Sequence, residues 1–304
     1  MNAYTIRISG YKFLYNLCHK FPIPKFSDNS ILISGVTRGG TTWLMEMLYM
    51  ENMQVVWEPT KFETVSKIHG VSFARDLGAI PYIPENAVWD EAYEYFNTIL
   101  TGNEPTIIDQ YSHPLLLTNP FSKNRLLLKF CNINLLLPWL CRNFSIQPIV
   151  LIRNPMAVIT SQLQHPGYKK IGTQYNLFEI NESQYKDIFQ KYEQQISAIN
   201  CQVSMLANWW AIQHVDVLQN QERYTIIYYE KLVKETEIQL KGIFSKYGIS
   251  KPIDVKSINK PSSTSNQFNG DALTHLDHWK KYLTQEQIET ISEIILSYGI
   301  TNYV

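Results

Sequence analysis

Ten consecutive residues, Ser34-Gly-Val-Thr-Arg-Gly-Gly-Thr-Thr-Trp43, have the types and spacing to hold an anion. They follow three β-prone residues, Ile31-Leu-Ile33, and run into Leu-Met-Glu-Met-Leu, which continues as a helix. Strand, glycine-rich loop and helix together make a phosphate cradle. The loop's N–H groups and the free N–H groups of the first helical turn converge on one point, and the helix dipole reinforces them. Gly35 and Gly40 have the spacing of the nucleoside-triphosphate loop G-x-x-x-x-G-K-[ST], but Thr41 stands where that lysine would reach the β- and γ-phosphates. The positive charge sits inside the loop instead, on Arg38. The stretch therefore suits a terminal or internal phosphate held by Gly39, Gly40, Thr41 and Thr42, with Arg38 aimed at a different group.

Such a loop needs a scaffold. The run 148–153, Pro-Ile-Val-Leu-Ile-Arg, is continuously apolar up to its last residue, the mark of a strand buried on both faces. Shorter β-prone runs at 55–57, 106–109, 126–130 and 224–229 predict further strands. Helical patterns fall at 11–19, 41–50, 90–100, 134–143 (limited by Pro138), 155–163, 183–218 and 230–247. A final helix is opened by the capping box of Thr284 and Gln287, buries Ile288, Ile291 and Ile295, and is closed by Gly299. Short strands alternating with helices predict an α/β fold, a three-layer α/β/α arrangement around a mostly parallel sheet. In such sheets ligands sit beyond the carboxyl ends of the strands. The polar residues expected there are 34–42, Glu58, Asp109, Lys129, Arg153, Tyr229 and Glu230. Residues 1–29 read as an N-terminal extension packed on the domain. Residues 30–304 read as a single domain, with acceptor-pocket insertions near 60–104, which is irregular and rich in aromatic residues, and 164–222.

Composition narrows the partners. Lys and Arg number 27, as do Asp and Glu, so a general attraction to nucleic acid or anionic surfaces is not expected. The hydrophobic content of 45% fits a globular chain. Four widely spaced cysteines include no C-x-x-C pair and no zinc spacing, so no metal is expected and reduced thiols fit a cytoplasmic location. The longest apolar run, 133–140, is too short to span a bilayer, so stable membrane insertion is not expected.

Two motifs give these residues a family. Ser34 to Trp43 resembles the 5′-phosphosulfate loop of sulfotransferases that use 3′-phosphoadenosine 5′-phosphosulfate (PAPS). Ile149-Val-Leu-Ile-Arg-Asn-Pro-Met-Ala-Val-Ile-Thr-Ser161 resembles the family's 3′-phosphate motif, an arginine at a strand end and a serine eight residues later. That spacing brings a helix hydroxyl back over the strand end, so Arg153 and Ser161 can grip one phosphate. Weaker similarity lies in Tyr228-Tyr-Glu-Lys-Leu232, in Lys260-Pro-Ser-Ser-Thr-Ser265 and at 279–284. The resemblance implies a P-loop NTPase-like fold and PAPS as cosubstrate. It implies that Tyr229 and Trp43 contact adenine, and that Lys260 and Ser263 belong to a loop over the 3′-phosphate.

The implied reaction is in-line transfer of a sulfuryl group to a hydroxyl or amine of a small-molecule or carbohydrate acceptor, without a metal. Arg38 neutralises charge on the leaving phosphate, and Lys129 contacts the sulfonate. Cytosolic members carry a histidine two residues after that lysine, where this chain has Cys131. The carbohydrate-acting branch ends its second strand in Glu-Pro, which Glu58-Pro59 matches, twenty residues beyond Arg38. Glu58 is therefore the first choice of general base, its pKa expected to be raised among aromatic residues, and His113 the second. Two other readings stay open: a P-loop small-molecule kinase, for which Asp109 offers a magnesium carboxylate but no residue offers the lysine, and a nucleotide-binding module without chemistry. Several of these residues also have plain roles, Trp43 as core and Glu58 or Lys129 as solvated strand ends. The acceptor's identity and the oligomeric state are not written in the sequence.

Overall fold

Five short apolar runs become strands because each can be covered on both faces. They are β1 Ile31–Gly35, β2 Met53–Trp57, β3 Arg125–Lys129, β4 Ile149–Ile152 and β5 Thr225–Tyr228. This computed structural model describes residues 3–20, 30–78, 80–104, 124–169, 185–254, 262 and 272–303. The strands form one sheet in the order β2-β3-β1-β4-β5, and every pairing is parallel. Strand side chains alternate between two cores. Ile31, Ile33, Val55, Leu127, Ile149 and Leu151 face one. Leu32, Val56, Leu126, Leu128, Val150 and Ile152 face the other.

The helices, in chain order, are α1 Ala3–Lys20, α2 Thr41–Leu48, α3 Phe62–His69, α4 Val71–Leu77, α5 Asp90–Leu100, α6 Leu137–Phe144, α7 Pro155–Gln164, α8 Pro166–Lys169, α9 Lys186–Lys191, α10 Glu193–Ser197, α11 Gln202–Gln219, α12 Tyr229–Lys234, α13 Thr236–Tyr247 and α14 Gln285–Ser297. Helices α2, α12 and α13 cover the first core through residues such as Leu44, Leu232 and Phe244. Helices α5, α6, α7, α11 and α14 cover the second, through Phe96, Leu140, Ile159, Leu206 and Ile291 among others. The expected α/β/α layering around a parallel sheet is thus present.

Several elements differ from the sequence reading. The expected helix 183–218 is three helices, α9, α10 and α11. The break before α11 has a local cause: the Cys201 and Ser204 side chains each bond the other's backbone N–H, a capping box that starts a new helix. The expected helix 230–247 breaks at Glu235, whose φ of −126° and ψ of 39° are not helical. Residues 60–104 are less irregular than expected, since α3 and α4 precede α5. The expected helix 11–19 is longer, and Tyr11 and Tyr15 bury its inner face. Pro138 does not kink α6 but lies in its first turn, after a 3₁₀ turn at Asn134–Leu136. The strand expected at 106–109 lies outside the described residues, as does most of 249–271.

The strand order decides where a site can form. From β1 the chain crosses to β2 on one side, and from β4 it crosses to β5 on the other. Neighbouring β1 and β4 therefore carry loops that leave in opposite directions, and this switch point opens a crevice at their carboxyl ends. The Ser34–Thr42 loop and Arg153 both lie there. Among the described residues no helix is long and apolar enough to cross a membrane.

Candidate active site

The loop between β1 and α2 is tied down from beneath. The Ser34 hydroxyl donates to Asn134 Oδ1 at 2.6 Å. Asn132 grips Thr37 twice, accepting its N–H at 2.9 Å and donating to its hydroxyl at 2.7 Å. Gln162 Nε2 donates to the Thr37 carbonyl at 3.0 Å. A turn closes where Gly39 N–H donates to the Val36 carbonyl, and Arg38 adopts a left-handed φ of 72°. A Cβ on Gly35 would lie 2.8 Å from the Leu151 carbonyl, and one on Gly40 would lie 2.9 Å from the Tyr229 ring. Gly40, the N-cap of α2, has no side chain to cap it, which leaves the first-turn N–H groups without a local side-chain acceptor among the described residues. The Thr41 hydroxyl lies 3.4 Å from Cys131 Sγ, and Thr42 is half-buried.

The end of β4 brings a second arginine to the same place. Arg153 Nη1 donates to the Arg38 carbonyl at 3.2 Å, and Arg38 Nε donates to the Ser161 hydroxyl at 2.9 Å. Arg153 also lies over the Tyr229 ring, 4.4 Å from its centroid. Its Nε is buried and, among the described residues, has no hydrogen-bond partner. Among the described residues neither guanidinium makes an ion pair within 4 Å. Burial, followed by the neighbouring Arg153 charge, pushes the Arg38 pKa down. Two partly buried cations with open donors, and no carboxylate bonded to them, can bind an anion. The backbone holding Arg153 is itself fixed. Trp210 Nε1 donates to its carbonyl at 3.1 Å, Asn154 caps α7 through the Met156 N–H, and Glu230 accepts the Asn154 N–H at 2.8 Å.

A third cluster forms at the ends of β2 and β3. Lys129 Nζ donates to Glu58 Oε1 and, at 3.2 Å, to Cys131 Sγ. Glu58 Oε2 accepts the Cys131 N–H at 2.9 Å, and the Glu58 N–H donates to the Lys129 carbonyl at 2.8 Å. Lys129 Nζ also sits 4.9 Å from the centre of the Trp57 ring. Both charged side chains are buried. The pKa of Glu58 is not raised, contrary to the sequence expectation. Burial does push it up, but the Lys129 ammonium and the donors from Cys131 and Lys129 outweigh burial and hold it low. Burial lowers the Lys129 pKa, yet Cys131 and Glu58 raise it further, and the net shift is upward. Burial pushes the Cys131 thiol up to about 11, so it stays protonated near neutral pH.

The sulfotransferase domain model matches residues 28–297. The chain belongs to the sulfotransferase family. Sulfuryl transfer is the general chemistry of such a domain. No curated protein matches the chain significantly. Among solved structures, the sulfotransferase domain from the Synechococcus PCC 7002 olefin synthase is similar, with 16% identity over 90% of this chain and 96% of that one and a TM-score of 0.40.

In this sulfotransferase, the residues named from the sequence fall into two described groups. Arg38, Gly39, Gly40, Thr41, Thr42, Arg153, Ser161 and Tyr229 gather at the β1–β4 crevice, and Glu58 and Lys129 gather beside it, joined to Thr41 through Cys131. Trp43 packs in the core against Tyr229, centroids 5.3 Å apart, and is only 8% exposed. His113, Lys260, Ser263 and Asp109 lie outside the described residues. The structure adds Asn132, Asn134 and Gln162 as braces of the loop. Asn132 has a left-handed φ of 59°, which asparagine tolerates better than most residues, and its place just after the apolar run 126–130 was a usable signal. Gln162 left none, being one more polar residue on a helix.

Proposed function

We propose that this sulfotransferase moves the sulfuryl group of PAPS to a hydroxyl of a small-molecule or carbohydrate acceptor by in-line displacement. One relationship supports the reading above the others: Arg38 and Arg153 lie side by side, and among the described residues no carboxylate bonds either and the buried Arg153 Nε has no partner. A nucleotide that carries two separate phosphate positions suits that pair. Arg153 and Ser161 would hold the 3′-phosphate, and the Gly39–Thr42 backbone with the Thr41 and Thr42 hydroxyls would hold the 5′-phosphate. Tyr229, already stacked against Arg153, lines the adenine side, with Trp43 behind it. PAPS supplies an activated sulfuryl group on a good leaving group.

The chain's own contribution is charge and position. Arg38 offsets negative charge at the leaving phosphate, and Lys129, cationic at any working pH, faces the sulfonate. Glu58 receives the acceptor's proton. A carboxylate with a lowered pKa is always in the ionised form a base requires, at some loss of basicity, so positioning between Lys129 and the Cys131 N–H carries more of its effect. His113 stays the second choice of base, and the 260–265 segment keeps the place over the 3′-phosphate that the resemblance implies. The aromatic-bearing stretches 60–100 and 164–180 wall the acceptor side.

Thermal shift with adenosine 3′,5′-bisphosphate against Mg-ATP tests the proposal. A ligand at a hundred times its Kd adds about 2.7 kcal/mol of stability. Stabilisation by the bisphosphate, followed by turnover of PAPS against sugars, phenols and aliphatic alcohols, is the expected result. Stabilisation by Mg-ATP alone indicates a kinase. Bisphosphate binding without turnover across the panel indicates a nucleotide-binding module.

A further inference from the structure

Helix α1 turns an apolar face to solvent. Ile6 is 59% exposed, Phe13 68%, Leu14 38% and Leu17 36%. Their spacing of i, i+7, i+8 and i+11 stacks them on one side of the helix, with exposed Gly10 between them. Single exposed apolar residues are ordinary, but four aligned on one helix form a patch. The helix cannot roll to bury them, because its opposite face is fastened to the fold. The Tyr11 hydroxyl donates to Gln54 Oε1 at 2.7 Å, the Tyr15 hydroxyl donates to the Gly102 carbonyl, and both rings are buried. The charge of this segment is one-signed. Its sequence holds Arg7, Lys12 and Lys20 and no acidic residue, in a chain whose 27 basic and 27 acidic residues balance only when these three are counted.

We propose that α1 seats the protein on an anionic lipid surface. The four apolar side chains enter the boundary between headgroups and acyl chains, while cations of the same helix meet lipid phosphates and carboxylates. A second copy of the chain fits the face less well. A two-fold contact of α1 on α1 would set its cations against their own kind, and four side chains are few for a stable protein interface. Binding would be peripheral and reversible, since the helix lies along the fold and is not an apolar span.

Co-sedimentation of the full chain tests this, with phosphatidylcholine vesicles against vesicles containing about a third phosphatidylserine. The protein is expected to pellet with the anionic vesicles, not with the neutral ones, and less as salt rises. The double variant Phe13→Ser/Leu17→Ser, at exposed positions, is expected to melt like the parent and to bind at least about tenfold more weakly. Arg7→Gln is expected to weaken binding by roughly fivefold. Absence of binding to anionic vesicles overturns the proposal, and so does equal binding by the double variant. A concentration-dependent dimer that Phe13→Ser dissolves, without vesicle binding, assigns the face to a second copy and overturns it as well.

Discussion

Arg153 Nη1 donates to the backbone carbonyl of Arg38, so one guanidinium is fastened to the peptide that carries the other. The two residues are 115 positions apart and meet because β1 and β4 are neighbours in the sheet. Like charges normally separate. Here the loop geometry and the Ser161 hydroxyl hold them together.

Replacing Arg153 with Met therefore has opposite effects on binding and folding. Affinity for adenosine 3′,5′-bisphosphate is expected to fall by about 2–3 kcal/mol, roughly 30- to 150-fold, as charge-assisted hydrogen bonds are lost. The free protein is expected to lose no stability, because an unpartnered buried Nε and a like-charge neighbour both disappear. Calorimetric titration and a ligand-free melt read the two effects. Unchanged affinity would remove Arg153 from the phosphate site.

The Glu58–Lys129 pair makes the opposite case, where each buried charge needs the other. Glu58→Gln is expected to cost about 3–5 kcal/mol in urea denaturation, since it leaves Lys129 buried without its counter-charge. The double variant Glu58→Gln/Lys129→Met is expected to recover most of that loss and still lack sulfuryl transfer. The pH dependence follows from the shifts. Glu58 lies below its ordinary 4.5, so its contribution is full above that value and is lost as pH falls through the lowered one. Lys129 lies above its ordinary 10.5, so its contribution is full below that value and is lost only as pH rises through the raised one.

Two loop glycines are expected to resist substitution for different reasons. Gly40→Ala meets both a φ of 95° and the Tyr229 ring, a cost of about 1–3 kcal/mol. Gly35→Ala sets its methyl 2.8 Å from the Leu151 carbonyl on the neighbouring strand, and backbone yields less than a ring, so about 2 kcal/mol or more is expected. Urea midpoints give both costs. Bisphosphate titration should show Gly40→Ala weakened too, because Tyr229 shifts with it.

His214 has no part in the site but sets an acid limit on the fold. It is fully buried, its Nδ1 lies 2.7 Å from the Trp210 carbonyl and, among the described residues, its Nε2 has no partner. Burial pushes its pKa down to about 4. The unfolded chain then takes up a proton near pH 6.5 that the fold refuses, so stability falls as pH drops from there toward 4. About 2 kcal/mol of stability is expected to vanish between pH 7 and pH 5. His214→Phe should flatten that part of the curve in urea titrations.

Much of this protein was legible in local pattern. Residues 31–43 announce strand, glycine-rich loop and helix because those properties need only neighbours in the chain. The eight-residue step from Arg153 to Ser161 is likewise local, one strand end and the helix that follows it. Residues 183–218 misled because continuous helical residues hide a break that a cysteine–serine capping box imposes. The two insertion helices α3 and α4 were missed because their short patterns compete with abundant Tyr, Pro and Trp.

Sequence alone determined the parallel α/β layering, the glycine-rich loop between β1 and α2 and the identity of the cations around it. Tertiary structure alone decided that Arg38 bonds Ser161 across 123 residues, and that Lys129 and Glu58 close on each other across 71. It also decided that Glu58 is held ionised rather than poised. A local pattern states which residues end each strand. Only the order β2-β3-β1-β4-β5 states which strand ends are neighbours, and the distance between charges sets their pKa values.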